Sequence, residues 1–359
     1  MEDEAITLET LGWNAQWEAR FADLRAKGLE PARVAVEDKH HYVVLNAEGD
    51  WSAVVAGKVL HRAESPADLP KVGDWVAISR VPHERKVVIQ QVLPRQTKLS
   101  RKVPGREVEE QVLVTNVDVV FIVQALDRPM KAALLERHLV MVHETGARPV
   151  VVFNKADLAE DASEVLHHAR AVAGQTPVEI VSAKTGQAMD ELCQFIAPGT
   201  TVVFIGPSGV GKSSLINQLY GEEIQATTEV RESDCKGRHT TTWRELILLP
   251  GGGLVIDTPG MREFQIWQAD QGLHETFAEI DELAVQCHFR DCTHTVEKRC
   301  AVLAAVENGT LPHERYESYL KLRRELAHLQ EAQHRHVYLE RKRQTKIAQR
   351  AFKKFKREM

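Results

Sequence analysis

The stretch GPSGVGKSS, Gly206 to Ser214, has the spacing G-x-x-x-x-G-K-S, and that spacing suits a phosphate group. Gly206, Gly209 and Gly211, with Pro207, Ser208 and Val210 between them, allow backbone amides to turn inward around phosphate oxygens. Lys212 supplies positive charge to the β and γ groups, and the hydroxyls of Ser213 and Ser214 follow it, Ser213 being placed to meet Mg²⁺. The apolar run TVVFI precedes the loop and SLINQLYG follows it. A strand before and a helix after would add the helix dipole to the same task.

A second group of residues can read a base. In NKAD the carboxylate of Asp157 can accept two hydrogens from a purine edge bearing N1–H and a 2-amino group, as guanine has and adenine lacks. The aliphatic stem of Lys155 can lie over the base plane, Asn154 can brace neighbouring loops, and Ala156 separates Lys155 from Asp157. SAK (Ser182, Ala183, Lys184) follows another apolar run 25 residues on and completes the base-binding set.

DTPG adds Asp257, which ends an apolar run where it can hold Mg²⁺ through water, and Gly260, whose amide can meet the γ-phosphate. Between the phosphate loop and DTPG lies GRHTTT (237–242), a natural switch, with Thr241 or Thr242 as a second hydroxyl ligand to Mg²⁺. The position after DTPG is Met261, and a thioether cannot orient an attacking water. His239 is the candidate catalytic residue, because an imidazole can align or deprotonate water near neutral pH; Arg238 could instead neutralise charge.

CHFRDCTHTVEKRC sets Cys287, Cys292, His294 and Cys300 within fourteen residues. Three thiolates and one imidazole suit tetrahedral Zn²⁺ in a structural site, with His288 a competitor for the nitrogen ligand. Five cysteines, three of them crowded here, make a poor disulfide framework.

These motifs need elements to hold them. Near-continuous Val/Ile/Phe runs at 118–126, 147–158, 177–186, 201–214 and 254–260 read as strands of a parallel sheet buried on both faces, with helices over 131–145 and 160–173 between them. The working loops then sit at the carboxyl ends of strands. Ahead of them, alternating runs broken at Asn46, Gly49 and Gly73 read as a five-stranded antiparallel barrel, of oligonucleotide-binding (OB) type or, less favoured, SH3-like. Leu11, Trp13, Trp17, Phe21 and Leu24 give an apolar helical stripe before the barrel, and residues 98–111 read as a linker or surface loop. The expected organisation is a multidomain chain: a helical extension (1–30), a barrel (31–100), an α/β phosphate-loop domain (112–272), a helical zinc-binding domain (273–335) and a basic tail (336–359).

The net charge of −5 conceals an asymmetry, since residues 321–359 hold thirteen Lys/Arg against four Asp/Glu. A cationic arm on an acidic body suggests a polyanionic partner. No leader-like segment opens the chain and no run of about 18 apolar residues occurs, so a cytoplasmic protein without a membrane partner is expected.

The base-reading motifs precede the phosphate loop, the reverse of the usual GTPase order. A chain cut elsewhere and rejoined at its old termini builds the same pocket. This order, the Cys₃His cluster behind it and a small barrel in front closely resemble the bacterial circularly permuted, small-subunit-dependent GTPases of the RsgA (YjeQ) family over roughly residues 30–320. REVEEQVLVTNVDVVFIVQALD (106–127) also looks like that family. The resemblance implies GTP hydrolysis stimulated by the small ribosomal subunit, a role in late subunit assembly, contact with rRNA through the flanking domains, one structural zinc, Mg²⁺ with GTP or GDP, and a monomer. It also implies that Met261 occupies a position where the family is hydrophobic, and that His239 matches a switch histidine proposed to be catalytic. The basic end past about residue 335 exceeds the family's usual core. Trp51 or Trp75 could stack on RNA bases, although each by itself suits a core better. Two other readings compete: a GTP-switched clamp with negligible turnover, and a GTPase whose partner is a protein or membrane surface.

Overall fold

Alternation of apolar and polar residues produces β1 (Glu30–Asp38), β2 (His41–Asn46), β3 (Gly49–Val55), β4 (Trp75–Arg80) and β5 (Lys86–Val92). The computed structural model describes residues 6–38, 41–103, 109–223, 244–258, 267 and 269–358. The five strands pair in the order β1-β2-β3-β5-β4, and β4 returns to β1, so the sheet closes into the expected OB-like barrel. Val34, Val44, Val76, Ile78 and Ile89 fill it, and the short helix α2 (Gly57–Arg62) links β3 toward β4.

Before the barrel, α1 (Ala15–Arg25) begins at Asn14, whose Oδ1 accepts the amides of Gln16 and Trp17 at 3.0 and 3.1 Å. All five residues of the predicted apolar stripe are buried. Trp13 meets Trp75 edge to face with ring centroids 4.7 Å apart. Trp75 is 1% exposed, so it is a core residue and unable to stack on an external base. Trp51 is half-buried, with the guanidinium of Arg80 5.0 Å from its ring centroid.

The segment read as a linker is instead a hairpin, β6 (Lys98–Lys102) with β7 (Glu110–Thr115). Its charges pair across the strands, Lys98 with Glu110 at 2.6 Å, while Leu99, Val112 and Val114 are buried. The Pro and Gly that suggested a loop fall outside the described residues of the connection.

The remaining sheet contains β8 (Val119–Ala125), β9 (Arg148–Asn154), β10 (Val178–Ile180), β11 (Thr201–Ile205), β12 (Glu245–Leu248) and β13 (Leu254–Asp257). Its order is β10-β9-β8-β11-β13-β12, parallel except for β12. Helices α3 (Ala132–Thr145) and α4 (Ser163–Ala173) cover one face through residues such as Leu135, Leu139 and Ala169. On the other face, α5 (Met189–Cys193) and α6 (Lys212–Tyr220) contribute Leu192, Leu215 and Ile216. The antiparallel edge strand β12, absent from the sequence reading, continues into the barrel by pairing Glu245 with Val36 of β1.

One buried arginine joins three of these parts. The Arg33 guanidinium, on β1, donates to the carbonyls of Leu11, Gly73 and Asn116, and burial draws its pKa down to about 10 despite nearby Asp118 and Asp74.

The chain then forms α7 (Asp270–Thr276), α8 (Ala278–Ala284), α9 (Ala301–Glu307) and α10 (His313–Glu358). At 46 residues α10 is about 69 Å long. It crosses without interruption the point near residue 335 where a separate tail was expected. Arg315 on α10 donates to Glu279 (2.6 Å), Glu136 of α3 (3.0 Å), the Val172 carbonyl (3.2 Å) and the Thr276 carbonyl (2.6 Å). Among the described residues no helix is long and apolar enough to cross a membrane.

Replacing Arg33 by Leu strands three buried carbonyls, so stability should fall by about 3 kcal/mol or more, read as a lower urea midpoint. Arg33→Lys should recover little of it, because a point ammonium cannot span the same three acceptors.

Candidate functional site

Five parallel strands end at one edge, and the loops that leave them carry the predicted residues. In sheet order these are SAK after β10, NKAD after β9, the phosphate loop after β11 and Asp257 closing β13, while the loop after β8 carries Asp127, to which the sequence assigned no role. Parallel pairing produces this convergence directly: Ala125 is in register with Asn154, Ile122 with Ile205, and Val203 with Ile256.

The phosphate loop needs its glycines here for stated reasons. Gly206 has φ +143°, and a Cβ on it would lie 2.3 Å from the Val123 carbonyl of the neighbouring strand. Gly211, at φ +91°, caps α6, and its Cβ would come within 2.2 Å of Asn154 Nδ2. That approach exists because Asn154, only 2% exposed, donates Nδ2 to the Val210 carbonyl at 2.9 Å. The same amide accepts the Ala183 N–H on Oδ1 at 3.0 Å. One side chain therefore ties NKAD to both the phosphate loop and SAK. Lys212 Nζ donates to the carbonyls of Gly206 and Pro207 at 2.8 and 2.9 Å, folded over the loop it belongs to.

Asp157 is aimed by its neighbours. Ser182 Oγ donates to Asp157 Oδ1 at 2.6 Å, and Lys184 Nζ stands 4.0 Å from Oδ2. With its side chain 15% exposed, the carboxylate keeps a free direction outward for a ligand with paired donors. Lys155 adopts φ +67°, unusual for a residue with a side chain, and its Nζ bonds Asp127 Oδ2 at 2.6 Å. The sequence assigned Asp127 no role; it stood only as the last residue of the family-like stretch 106–127. Arg238, His239, Thr241, Thr242, Gly260 and Met261 lie outside the described residues.

The sulfur ligands lie on the far side of α7 and α8 in sequence. Cys287 Sγ stands 3.8 Å from Cys300 Sγ and 3.6 Å from His294 Nδ1, which is 3.4 Å from Cys300 Sγ. With metal–sulfur bonds near 2.3 Å, the edge of a tetrahedron is about 3.8 Å, whereas a disulfide would need about 2.05 Å. Cys292 completes a set whose ligand atoms all lie within 4.8 Å of one another, so the group can hold a metal ion. His288 is not a member; its ring packs edge to face on Phe289. The amides of Ala301 and Leu303 donate to Cys287 and Cys300 sulfur at 3.3 and 3.4 Å, which favours thiolates. Tyr316 Oη on α10 donates to the His294 carbonyl at 2.6 Å, fastening the ligand loop to the long helix.

The family model described as RsgA GTPase matches residues 92–267. Small ribosomal subunit biogenesis GTPase RsgA of Opitutus terrae is 44% identical over 332 residues, covering 90% of each chain. The chain belongs to the RsgA GTPase family. The protein of the same name from Syntrophotalea carbinolica is 42% identical over 98% of this chain and 99% of its own. Among solved structures, YjeQ from Thermotoga maritima is 29% identical, with a TM-score of 0.62 over 83% of this chain and 99% of its own. A second model, described as a 50S ribosome-binding GTPase, matches residues 201–341. Membership in the RsgA family makes the chain a circularly permuted GTPase, in keeping with β9 and β10, the strands that lead into NKAD and SAK, which precede the phosphate loop in sequence yet lie on its side of the sheet.

Gly211→Ala should weaken binding of a fluorescent GDP by at least tenfold, because the methyl displaces the Asn154 amide and the backbone is held at positive φ. A titration by fluorescence anisotropy measures it.

Proposed function

We propose that this GTPase acts in late maturation of the small ribosomal subunit, where the subunit stimulates hydrolysis and the barrel, zinc-binding helices and basic helix grip rRNA. The observation that carries the enzymatic part is the tie made by Asn154 between the Val210 carbonyl and the Ala183 amide, since it holds side by side the loops that in this reading take the phosphates and the base. The subunit assignment draws on the name shared by relatives over nearly the whole chain.

In this reading residues Gly206 to Ser214 enclose the phosphates, with Lys212 turning from its loop carbonyls to the β and γ groups. Asp157, held by Ser182, selects guanine, and Asn154, Lys155, Ala156, Ala183 and Lys184 complete the base pocket. Ser213, Asp257 and Thr241 or Thr242 hold Mg²⁺, which when bound neutralises charge on the triphosphate. The Gly260 amide meets the γ-phosphate and His239 orients the water. Cys287, Cys292, His294 and Cys300 take a single structural Zn²⁺, and the protein works as a monomer in the cytoplasm.

Lys212→Ala and Ser213→Ala should each abolish subunit-stimulated phosphate release while leaving the thermal unfolding curve in place; unchanged turnover in either would refute the assignment. His239→Ala should lower the stimulated rate by about 10²-fold or more. Sedimentation with isolated small and large subunits, with and without a non-hydrolysable GTP analogue, decides the partner. Pelleting with the large subunit alone would favour the role named by the model that matches residues 201–341, and subunit binding without turnover would favour a nonenzymatic clamp.

Elemental analysis of the purified chain should find one zinc per molecule, lost in Cys292→Ser. That variant should melt earlier yet still bind GDP, because the cluster is separate from the phosphate loop.

A further inference from the structure

Asp127 lies two residues beyond the end of β8, as the last residue of the family-like stretch 106–127, with no role assigned to it from the sequence. Pairing of β8 with β9 brings Ala125 level with Asn154, and the Leu126 amide bonds the Asn154 carbonyl at 2.9 Å. Asp127 is thereby presented to the residue that follows Asn154. Its Oδ2 takes Lys155 Nζ at 2.6 Å and, from the other side, Arg128 Nη2 at 3.2 Å, while Arg128 Nε bonds Oδ1 at 2.7 Å. Held chiefly by the Arg128 hydrogen bonds and then by Lys155, the carboxylate stays ionised down to about pH 2.

The consequence is geometric. Asn154 and Lys155 are consecutive, and both reach from the end of β9 toward the phosphate-loop side, Asn154 to Val210 and Lys155 to the loop after β8. With its backbone at φ +67° and its amine fastened to Asp127, the Lys155 side chain is held at both ends. Its methylene stem is then stretched across the gap between the β9 and β8 loops, as a fixed apolar wall.

We propose that Asp127 is a positioning residue for nucleotide recognition, which holds the stem of Lys155 as the surface on which the purine plane rests. This rests on the reading of NKAD as the base site. Asp127 itself touches no atom of the base. It acts on the face of the ring through Lys155, whereas Asp157 acts on the edge. The two contributions are separable, because inosine nucleotides present the same ring face as guanosine nucleotides but lack the 2-amino group on the edge.

The experiment measures affinities for GDP and inosine diphosphate by competition against a fluorescent nucleotide. Asp127→Asn should weaken both by the same factor, about fivefold on the scale of a partly exposed ion pair, so their ratio stays that of the parent chain. Asp127→Glu should restore most of the loss, since the carboxylate is kept. In a Lys155→Met background, which keeps an unbranched apolar stem but no amine, Asp127→Asn should have no further effect. Undiminished GDP affinity in Asp127→Asn, a changed GDP-to-inosine ratio, no rescue by Glu, or a further penalty from Asp127→Asn in the Lys155→Met background would each overturn the proposal. Asp157→Asn supplies the separate check on the site itself: its amide can donate to a 2-oxo group, so preference should move toward xanthosine diphosphate. If that shift fails, the base-site reading falls; if it occurs while Asp127→Asn is silent, only the role of Asp127 falls.

Discussion

The buried side-chain amide of Asn154 is the bond on which the site depends. It stands at the end of a central strand, with its donor spent on the Val210 carbonyl and its acceptor on the Ala183 amide. A planar amide with one donor side and one acceptor side can satisfy two loops at once, and in a buried position neither partner has water to turn to. Three loops from three strands are thereby fixed relative to one another before any ligand arrives. The lack of a Cβ at Gly211 belongs to the same constraint, because the amide fills that space.

Two arginines do for the flanking parts what Asn154 does for the loops. Arg33 gathers carbonyls from the amino-terminal segment, the barrel and the connection into β8. Arg315 gathers α10, α8, α3 and the end of α4, and its guanidinium also lies 4.5 Å from the Phe277 ring centroid. A guanidinium suits such junctions because its donors diverge in one plane and its charge persists when buried. Both junctions avoid the nucleotide edge. The barrel also joins the sheet through β12, which runs from the segment after GRHTTT back toward β13 and Asp257. After DTPG the chain enters α7, where the Gly272 amide bonds Glu144 of α3 at 2.9 Å. The permuted order therefore connects the segments expected to respond to the γ-phosphate directly to the barrel on one side and the helices around the Cys₃His cluster on the other.

Much of this was legible in the residue order. The barrel strands showed as alternating runs, because one face of each is wet. The parallel strands showed as unbroken Val/Ile/Phe runs, because helices cover both faces. Cys287, Cys292, His294 and Cys300 were visible from spacing alone, since short loops leave a metal few other geometries. Two features were misread or missed for tertiary reasons, and the choice left open for Trp75 was settled by them. The β6–β7 hairpin has a charged, turn-rich sequence whose strand character comes from cross-strand pairing such as Ser100 with Glu110. Trp75 on a barrel strand points inward because α1 and the residues before it supply Trp17 and Trp13 to cover it. The edge strand β12 has only four residues, too few for a pattern to show.

By itself, the sequence determined the chemistry on offer: a phosphate loop, the carboxylate of NKAD, a sulfur-rich ligand set and a cationic carboxyl-terminal arm. These depend on residue type and short spacing, which no folding event alters. Only the tertiary structure decided which of the distant residues meet. Asp127 and Lys155 are 28 positions apart, and Arg137 of α3 and Glu325 of α10 are 188 apart, yet each pair forms an ion pair. Such pairings follow from strand register and helix packing, which are properties of the whole chain and are written in no local stretch of it.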